Sequence, residues 1–511
     1  MYGSVFSLLP FAVVIPVAIW TRQVIPGLLC GLLVGAYMLT PQPIGGLQTV
    51  LNYLFKELQV AGNVRLIVFL YLFGSFVGLL RISGGVSGLA RWLSPRIHSS
   101  RAAFAVTWAS SALTFMAPDF RIITVAPVMR PLLRTFRIAP DDMSYAINVT
   151  STPLISLIPL GTAFVGYMVG LLATALKHSG AKGDAYPLFL QSIPFNFFSL
   201  AILALGIYFS FFRGHQHEKM AALSVANTGA KPLTVEASSQ PVGHRGLYDS
   251  AQGRAELADG QKDAHAAARG DSEEVVEPID VYSAQVRPSA LHLAIPIAVL
   301  VSLTLFFTWW SGYQAGGQGI AALVRADASV AMIQAIVVTL IVSSVLYAFR
   351  GVSLDRVMFG VLAGGNEMMG VIMLLVLVWA VSGVSTDLGF GTFVGGTIGH
   401  VVPKMLIAPA LFVFGSLLSY FIGSSFGAWG ILMPLGFTLA QSTHASLALI
   451  AGAVFASGTL GGFASPLSDN TVAMSTVMKF SVMRFTRKLL PSTLIAGGAA
   501  TIGYTVAGLL M

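Results

Sequence analysis

The chain has 511 residues, 55% of them hydrophobic and only 10% charged, with a mean hydropathy of +0.79. Soluble domains carry about 25% charged residues, and many windows here exceed the roughly 20 apolar residues that a membrane crossing needs, so the composition excludes a soluble domain and indicates an all-α polytopic membrane protein. The net charge of +8 belongs to basic loops beside the bilayer rather than to a nucleic-acid surface, and the single cysteine, Cys30, excludes a disulfide framework and a cysteine metal site.

The N-terminal stretch MYGSVFSLLPFAVVIPVAIW lacks a basic n-region and reads as a retained first helix. Apolar segments at 4–21 and 24–40 are the first two spans, a loop with Lys56 and Arg65 follows, and 66–82 is a third span. After a basic interfacial segment with Arg91, Arg96 and Arg101, residues 102–136 break at Ala117-Pro118-Asp119 and read as a re-entrant hairpin with its tip at 117–121. Segment 142–176 is interrupted at Asn148–Pro153 (NVTSTP), and 188–212 is a further span. Residues 213–288 are polar, without apolar periodicity, and read as a disordered cytoplasmic linker. Its His215, His217, His244 and His265 have no spacing that fixes a metal site. Spans resume at 290–312, 329–349 and 366–386, with 351–365 interfacial. Segment 405–442 breaks around FIGSSFGAWG as a second hairpin, 446–476 is a second broken helix, and 489–511 is the last span.

The order of parts repeats. FMAPDFRIITVAPVMRPL is echoed by FIGSSFGAWGILMPLGF, and NVTSTPLISLIPL by GGFASPLSDNTV. Residues 1–212 and 289–511 thus read as two membrane repeats, each with about five spanning helices plus a re-entrant hairpin and a broken helix. Five crossings is odd, so the second repeat is inverted, the architecture of alternating-access carriers. With the linker inside, short inner segments hold fifteen basic residues, Arg91, Arg96, Arg101, Arg350, Arg356, Arg484, Arg487 and Lys488 among them, against six in the outer loops, Lys56, Arg65, Lys177, Lys182, Arg325 and Lys404. This is the positive-inside bias, and it places the chain as a multi-pass protein of a bacterial inner membrane.

The stretch SGTLGGFASPLSDNTVAMS, residues 457–475, lies at membrane depth yet is rich in helix breakers and small polar groups. Irregular backbone there must be buried in protein or line a wet cavity, and an intramembrane Asp is a functional residue by default. Carbonyls freed by Pro466, with Ser465, Ser468, Asn470, Thr471 and the Asp469 carboxylate, form an oxygen-rich shell suited to Na⁺. A proline kink healed by hydroxyls is the simpler reading, but it leaves Asp469 and Asn470 unexplained. Asn148, Thr150, Ser151 and Thr152 would line a partner site in the first repeat, and Ser424 and Ser425 at the second tip would close the cavity.

These motifs resemble the NhaC-type sodium/proton antiporter family. MRPLLRTFRIAPDDMSYAINVTSTPLISLIPL resembles its RP…AYIIDSTAAP region, FIGSSFGAWGILMPL its TGTSWGTF hairpin, GGFASPLSDNTV its GDHCSPISDTT signature, and the helix with Trp379 and Gly389-Phe390-Gly391 its AW…LGTG helix. The resemblance covers roughly 65–175 and 360–490 and implies a fold of the ion-transporter superfamily, two hairpin tips and two broken helices around one site. This chain departs from the family in having Asn148 where the motif carries an acid, and Gly461-Gly462 near a second one. Asn148 cannot exchange a proton, so Asp469 and Asp119 are the leading proton candidates, with Glu367 and Asp387 nearer helix ends.

Arg121 reads as the salt-bridge partner of Asp119, or alternatively as a fork for a substrate carboxylate. Glu367 reads as an acid at a helix N-terminus, and Trp379 as packing. The expected activity is Na⁺/H⁺ antiport by alternating access. The alternative is Na⁺- or H⁺-coupled transport of a small organic anion or amino acid. No resident cofactor is expected, Na⁺ being the transported ion, with Asp469 its metal ligand. Partners expected are Na⁺, H⁺, the lipid bilayer and a second copy in a homodimer, and no nucleic acid. The chain has no HExxH motif and no cluster of His and acidic residues at membrane depth, so an enzyme is not expected.

Overall fold

The computed structural model describes residues 2–93, 96–136, 138–160, 162–181, 183–213, 288–314, 316–318, 328–394 and 403–511. The expected linker, including its four histidines, falls almost wholly on 214–287 and lies outside the described residues, as do Lys182 and Arg325. Every regular element among the described residues is helical.

Helices α1 (Leu9–Thr21) and α2 (Val24–Leu39) pack on each other. At 16 residues α2 rises only about 24 Å, short for a spanning helix. Where a loop was expected, α3 (Pro43–Leu58) forms, opened by Pro43 in its first turn. It turns Ile44, Leu47, Leu51 and Phe55 outward and buries Gly46, Val50 and Glu57. Lys56 therefore sits on an amphipathic helix, and Arg65 lies within α4 (Ala61–Ile82). The first hairpin consists of α6 (Ser100–Ala109) and the short α7 (Ser111–Thr114), then α8 (Pro118–Thr135), and follows α5 (Gly85–Leu93). The first broken helix is α9 (Pro140–Val149) and α10 (Thr152–Ile155). It leads to α11 (Ala163–Ser179) and to the bent pair α12 (Ala185–Ser192) and α13 (Phe197–Tyr208).

The second half holds α14 (Leu291–Gln314), α15 (Ala328–Phe349), α16 (Leu354–Glu367), α17 (Met369–Asp387) and the single turn α18 (Phe390–Phe393). The second hairpin is α19 (Lys404–Ile422) and α20 (Ser425–Thr443), the second broken helix α21 (Leu447–Ala464) and α22 (Asp469–Met478), and the last helix α23 (Val482–Leu510). Each arm of this hairpin has 19 residues, a rise of about 28 Å. By length each arm reaches across the hydrocarbon, deeper than the half-crossing expected of a re-entrant arm. Among the described residues seven helices are long and apolar enough to span, eight if the bent pair is one span, against ten crossings expected.

Segment 351–365 is not an interfacial strip. Its helix α16 lies against α4, and the two cross on glycines spaced for close approach, Gly74 and Gly78 against Gly360 and Gly364. A Cβ built on Gly78 would meet the Gly360 carbonyl oxygen at 2.2 Å, and one on Gly364 the Gly74 oxygen at 2.2 Å. This is the small-xxx-small packing that lets membrane helices touch backbone to backbone. It joins the two halves in an antiparallel crossing, with Gly365 near the end of α16 against Tyr71 and Gly360 against Ile82 at the end of α4.

Candidate functional site

Both broken helices open where the sequence changes from apolar to small and polar. In the first, Thr150 leaves the helical region and Ser151 takes φ −92°, ψ −107° before Pro153 restarts the chain. In the second, Ser465 and Ser468 are both extended on either side of Pro466 and Leu467. Pro466 cannot supply an amide donor, and side chains satisfy the gap. Ser465 Oγ donates to the Tyr420 carbonyl at 2.6 Å and accepts from Leu467 N, while Ser468 Oγ donates to the Gly462 carbonyl at 2.7 Å.

The two breaks are cross-linked. Asn148 Nδ2 donates to the Phe463 carbonyl at 2.8 Å, and Asn470 Nδ2 donates to Thr152 Oγ1 at 2.6 Å. Asn148, Thr150, Ser151, Thr152, Ser465 and Thr471 are fully buried, Ser468 and Asn470 nearly so. With both amide nitrogens engaged, Asn148 Oδ1 and Asn470 Oδ1 remain without a hydrogen-bond partner, as does Thr471 Oγ1. Buried oxygens are seldom left unmatched. Three of them, on residues that flank the two breaks, are acceptors without donors.

The second hairpin tip sits on the second break. Gly423, at φ +81°, ends α19, and a Cβ there would meet the Leu467 carbonyl carbon and oxygen at 2.6 Å, so both conformation and space require glycine. Ser425 Oγ and Ser419 Oγ both donate to the Gly458 carbonyl, at 2.9 and 3.0 Å. Ser424 is half-buried and its side chain caps α20 by accepting from Gly427 N.

Asp119 and Asp469 each lie in the first turn of a helix that follows a break, where a carboxylate also suits the positive helix end. Helices α8 and α22, which carry Asp119 and Asp469, pack against each other. Both aspartates keep solvent-accessible surface, whereas Asn470, next to Asp469, is buried. A cavity of about 340 Å³ lined by Gly183, Asp184, Gln191 and Ser446 contains none of these residues.

Two charged residues are placed differently from expectation. Arg121 does not pair with Asp119. Its fully buried guanidinium donates to Thr150 Oγ1, Ser110 Oγ, Thr114 Oγ1 and the Thr107 carbonyl. Glu367 is the last residue of α16, not the first of a helix, and its Oε1 lies 2.8 Å from Arg81 Nη1. Arg81 in α4 was the residue sequence reasoning missed. A lone arginine in the last turn of an apolar helix was the available signal, but its partner is 286 positions away. Asp387 is engaged by the Tyr53 hydroxyl at the far end of α17. Trp379 is buried in the core, and its Nε1 has no hydrogen-bond partner.

Residues 155–509 match the Na⁺/H⁺ antiporter family. The chain belongs to that family. It is also 25% identical to an uncharacterised Haemophilus influenzae protein over 99% of its own length and 91% of the relative's. Over 132 residues, 24% of this chain and 28% of the relative, it is 30% identical to the malate-2H⁺/Na⁺-lactate antiporter of Bacillus subtilis. Two solved transporters share the fold at 14% identity. Neisseria gonorrhoeae MtrF, described among a class of antimetabolite efflux pumps, aligns with TM-score 0.59 over 90% of this chain and 84% of that one. The Alcanivorax borkumensis YdaH transporter, described as having an unusual topology, aligns with TM-score 0.55 over 90% and 88%. The family match begins beyond Asp119, Arg121 and Asn148–Thr152, so in this antiporter-family protein half of the candidate site lies outside the matched segment.

Proposed function

We propose that this multi-pass membrane transporter exchanges Na⁺ for H⁺, with the ion held between the two helix breaks. The observation that carries this reading is the set of unmatched buried oxygens at the two breaks, with a carboxylate on each of the packed helices α8 and α22. Asn148 Oδ1, Asn470 Oδ1 and Thr471 Oγ1 are acceptors without donors, and hard cations take such neutral oxygens as ligands. Asp119 and Asp469 are like charges in the first turns of those two packed helices, and like charges brought close repel. Such repulsion is relieved either by a cation among the oxygens or by a proton on one carboxylate. Ion and proton then compete for one place, which is what exchange requires. On this reading the two hairpin-and-break units are inverted repeats that rock about the site by alternating access, in a bacterial inner membrane.

Proteoliposomes with a trapped pH dye and an imposed proton gradient test the reading. Na⁺ added outside should collapse the gradient. A folded, inserted protein that leaves the dye unmoved by Na⁺, Li⁺ and K⁺ would overturn antiport.

The second reading, coupled movement of a small organic anion, is favoured by the Bacillus subtilis relative's malate and lactate. Arg121 does not favour it, because its guanidinium is saturated by internal oxygens. Labelled organic acids taken up in a Na⁺ or proton gradient would establish this reading in place of the first.

A further inference from the structure

Arg121 is a buried cation without a carboxylate partner among the described residues. Its five N–H donors meet four oxygens. Nε and Nη2 reach Thr150 Oγ1 at 3.1 and 2.6 Å, Nη1 reaches Thr114 Oγ1 at 2.6 Å and Ser110 Oγ at 3.4 Å, and Nη2 reaches the Thr107 carbonyl at 2.7 Å. None of these acceptors is charged, and all are buried. A buried charge normally requires a counter-charge. Here the compensation comes from helix ends. Thr107 and Ser110 belong to the C-terminal turn of α6, and Thr150 closes α9, so two negative helix termini converge on the guanidinium. Carbonyl and hydroxyl oxygens at helix C-termini are also the surroundings that broken helices offer to alkali cations.

The second half has no counterpart. When the two tip segments are aligned at Phe115 and Phe421, Phe120 falls opposite Phe426, and Gly427 falls opposite Arg121. A Cβ at Gly427 would meet Val24 Cγ2 at 2.2 Å, so no side chain fits there. Aligning the breaks at Pro153 and Pro466 puts Phe463 opposite Thr150. The cation and its main acceptor are thus absent together from the second half.

We infer that Arg121 is a tethered cation: it permanently fills an oxygen shell in the first hairpin that would otherwise take a mobile ion, and so confines exchange to the site beside Asp119 and Asp469. This rests on the proposed Na⁺ reading for what the mobile ion is, but its test is separable. Binding of ²²Na⁺ to the purified full chain in detergent is measured at constant ionic strength for the wild type, Arg121→Ala and Arg121→Lys. The wild-type stoichiometry tests the proposed function, and the difference between variants tests the inference.

Arg121→Ala should bind about one more Na⁺ per molecule than the wild type, and its melting midpoint should rise with Na⁺ but not with choline. Millimolar guanidinium should restore the midpoint and displace the extra ion. Arg121→Lys, which keeps a charge in the shell, should bind no extra Na⁺. If Arg121→Ala folds and binds no additional Na⁺, or guanidinium leaves it unchanged, Arg121 is a structural knot and the inference fails. Should Arg121→Ala not fold, the wild type and Arg121→Lys still decide. An extra Na⁺ in Arg121→Lys, or about two Na⁺ in the wild type, contradicts a shell already filled by a side-chain cation.

Discussion

Asn148→Ala separates ion binding from simple support. The side chain is fully buried and does two things: Nδ2 holds the Phe463 carbonyl at 2.8 Å, and Oδ1 is left without a partner. Truncation leaves that carbonyl unsatisfied in a buried site, a cost of about 1–3 kcal/mol. Asn196 provides the control. It is also buried, donates to Ser156 Oγ at 3.3 Å and caps α13 by accepting from Ser199 N, so both of its ends are engaged. Asn196→Ala should lower stability by a similar amount, about 1–2 kcal/mol. The two variants should differ in ion dependence. Losing one ligand worth about 1.4 kcal/mol raises the Na⁺ half-saturation of transport roughly tenfold, and only Asn148→Ala removes a ligand. Detergent melting curves and Na⁺ titrations of dye collapse in liposomes give the two numbers. Equal Na⁺ half-saturation in both variants and the wild type would refute the assignment of Oδ1 to the ion.

At the α4–α16 crossing, Gly78→Leu places side-chain atoms where a Cβ alone would meet the Gly360 oxygen at 2.2 Å. The variant should lose folded protein on size-exclusion chromatography, whereas Gly370→Leu, with open space around it, should not. Glu367→Gln removes the carboxylate facing the buried Arg81. Because the Glu367 side chain is 42% exposed, the expected destabilisation is about 1–2 kcal/mol rather than the larger cost of a fully buried pair. Adding Arg81→Gln should recover part of it, and strictly additive melting shifts would show that the pair is not coupled.

The local features of the fold could be read along the chain. Helix α21 stops at Ala464 and α22 starts at Asp469, inside the stretch that Ser465, Pro466 and Ser468 mark as non-helical. The NVTSTP interruption and the tip near Pro118 appear as well, because proline and clustered small polar residues act on their own neighbourhood. Contacts between distant elements were not legible. Arg121 and Asp119 are two residues apart, yet helical geometry turns them to different sides: the oxygens around Arg121 come from α6, α7 and the end of α9, while the helix that carries Asp119 packs against α22. The glycine pairs 74/78 and 360/364 signalled a close crossing, but each needed the other segment to be recognised. Helix α3 was missed because its outward apolar stripe is interleaved with polar residues and never forms an apolar run.

Sharing of one place by ion and proton is the central claim, and Asp469→Asn tests it most directly. Wild-type and variant protein are reconstituted to equal density in liposomes with a trapped pH dye, a proton gradient is imposed, and Na⁺ is added outside. The account predicts Na⁺-dependent collapse of the gradient in the wild type and its loss in the inserted, folded variant. Unchanged Na⁺-driven collapse in Asp469→Asn would show that this carboxylate takes no part in the exchange and would contradict the account.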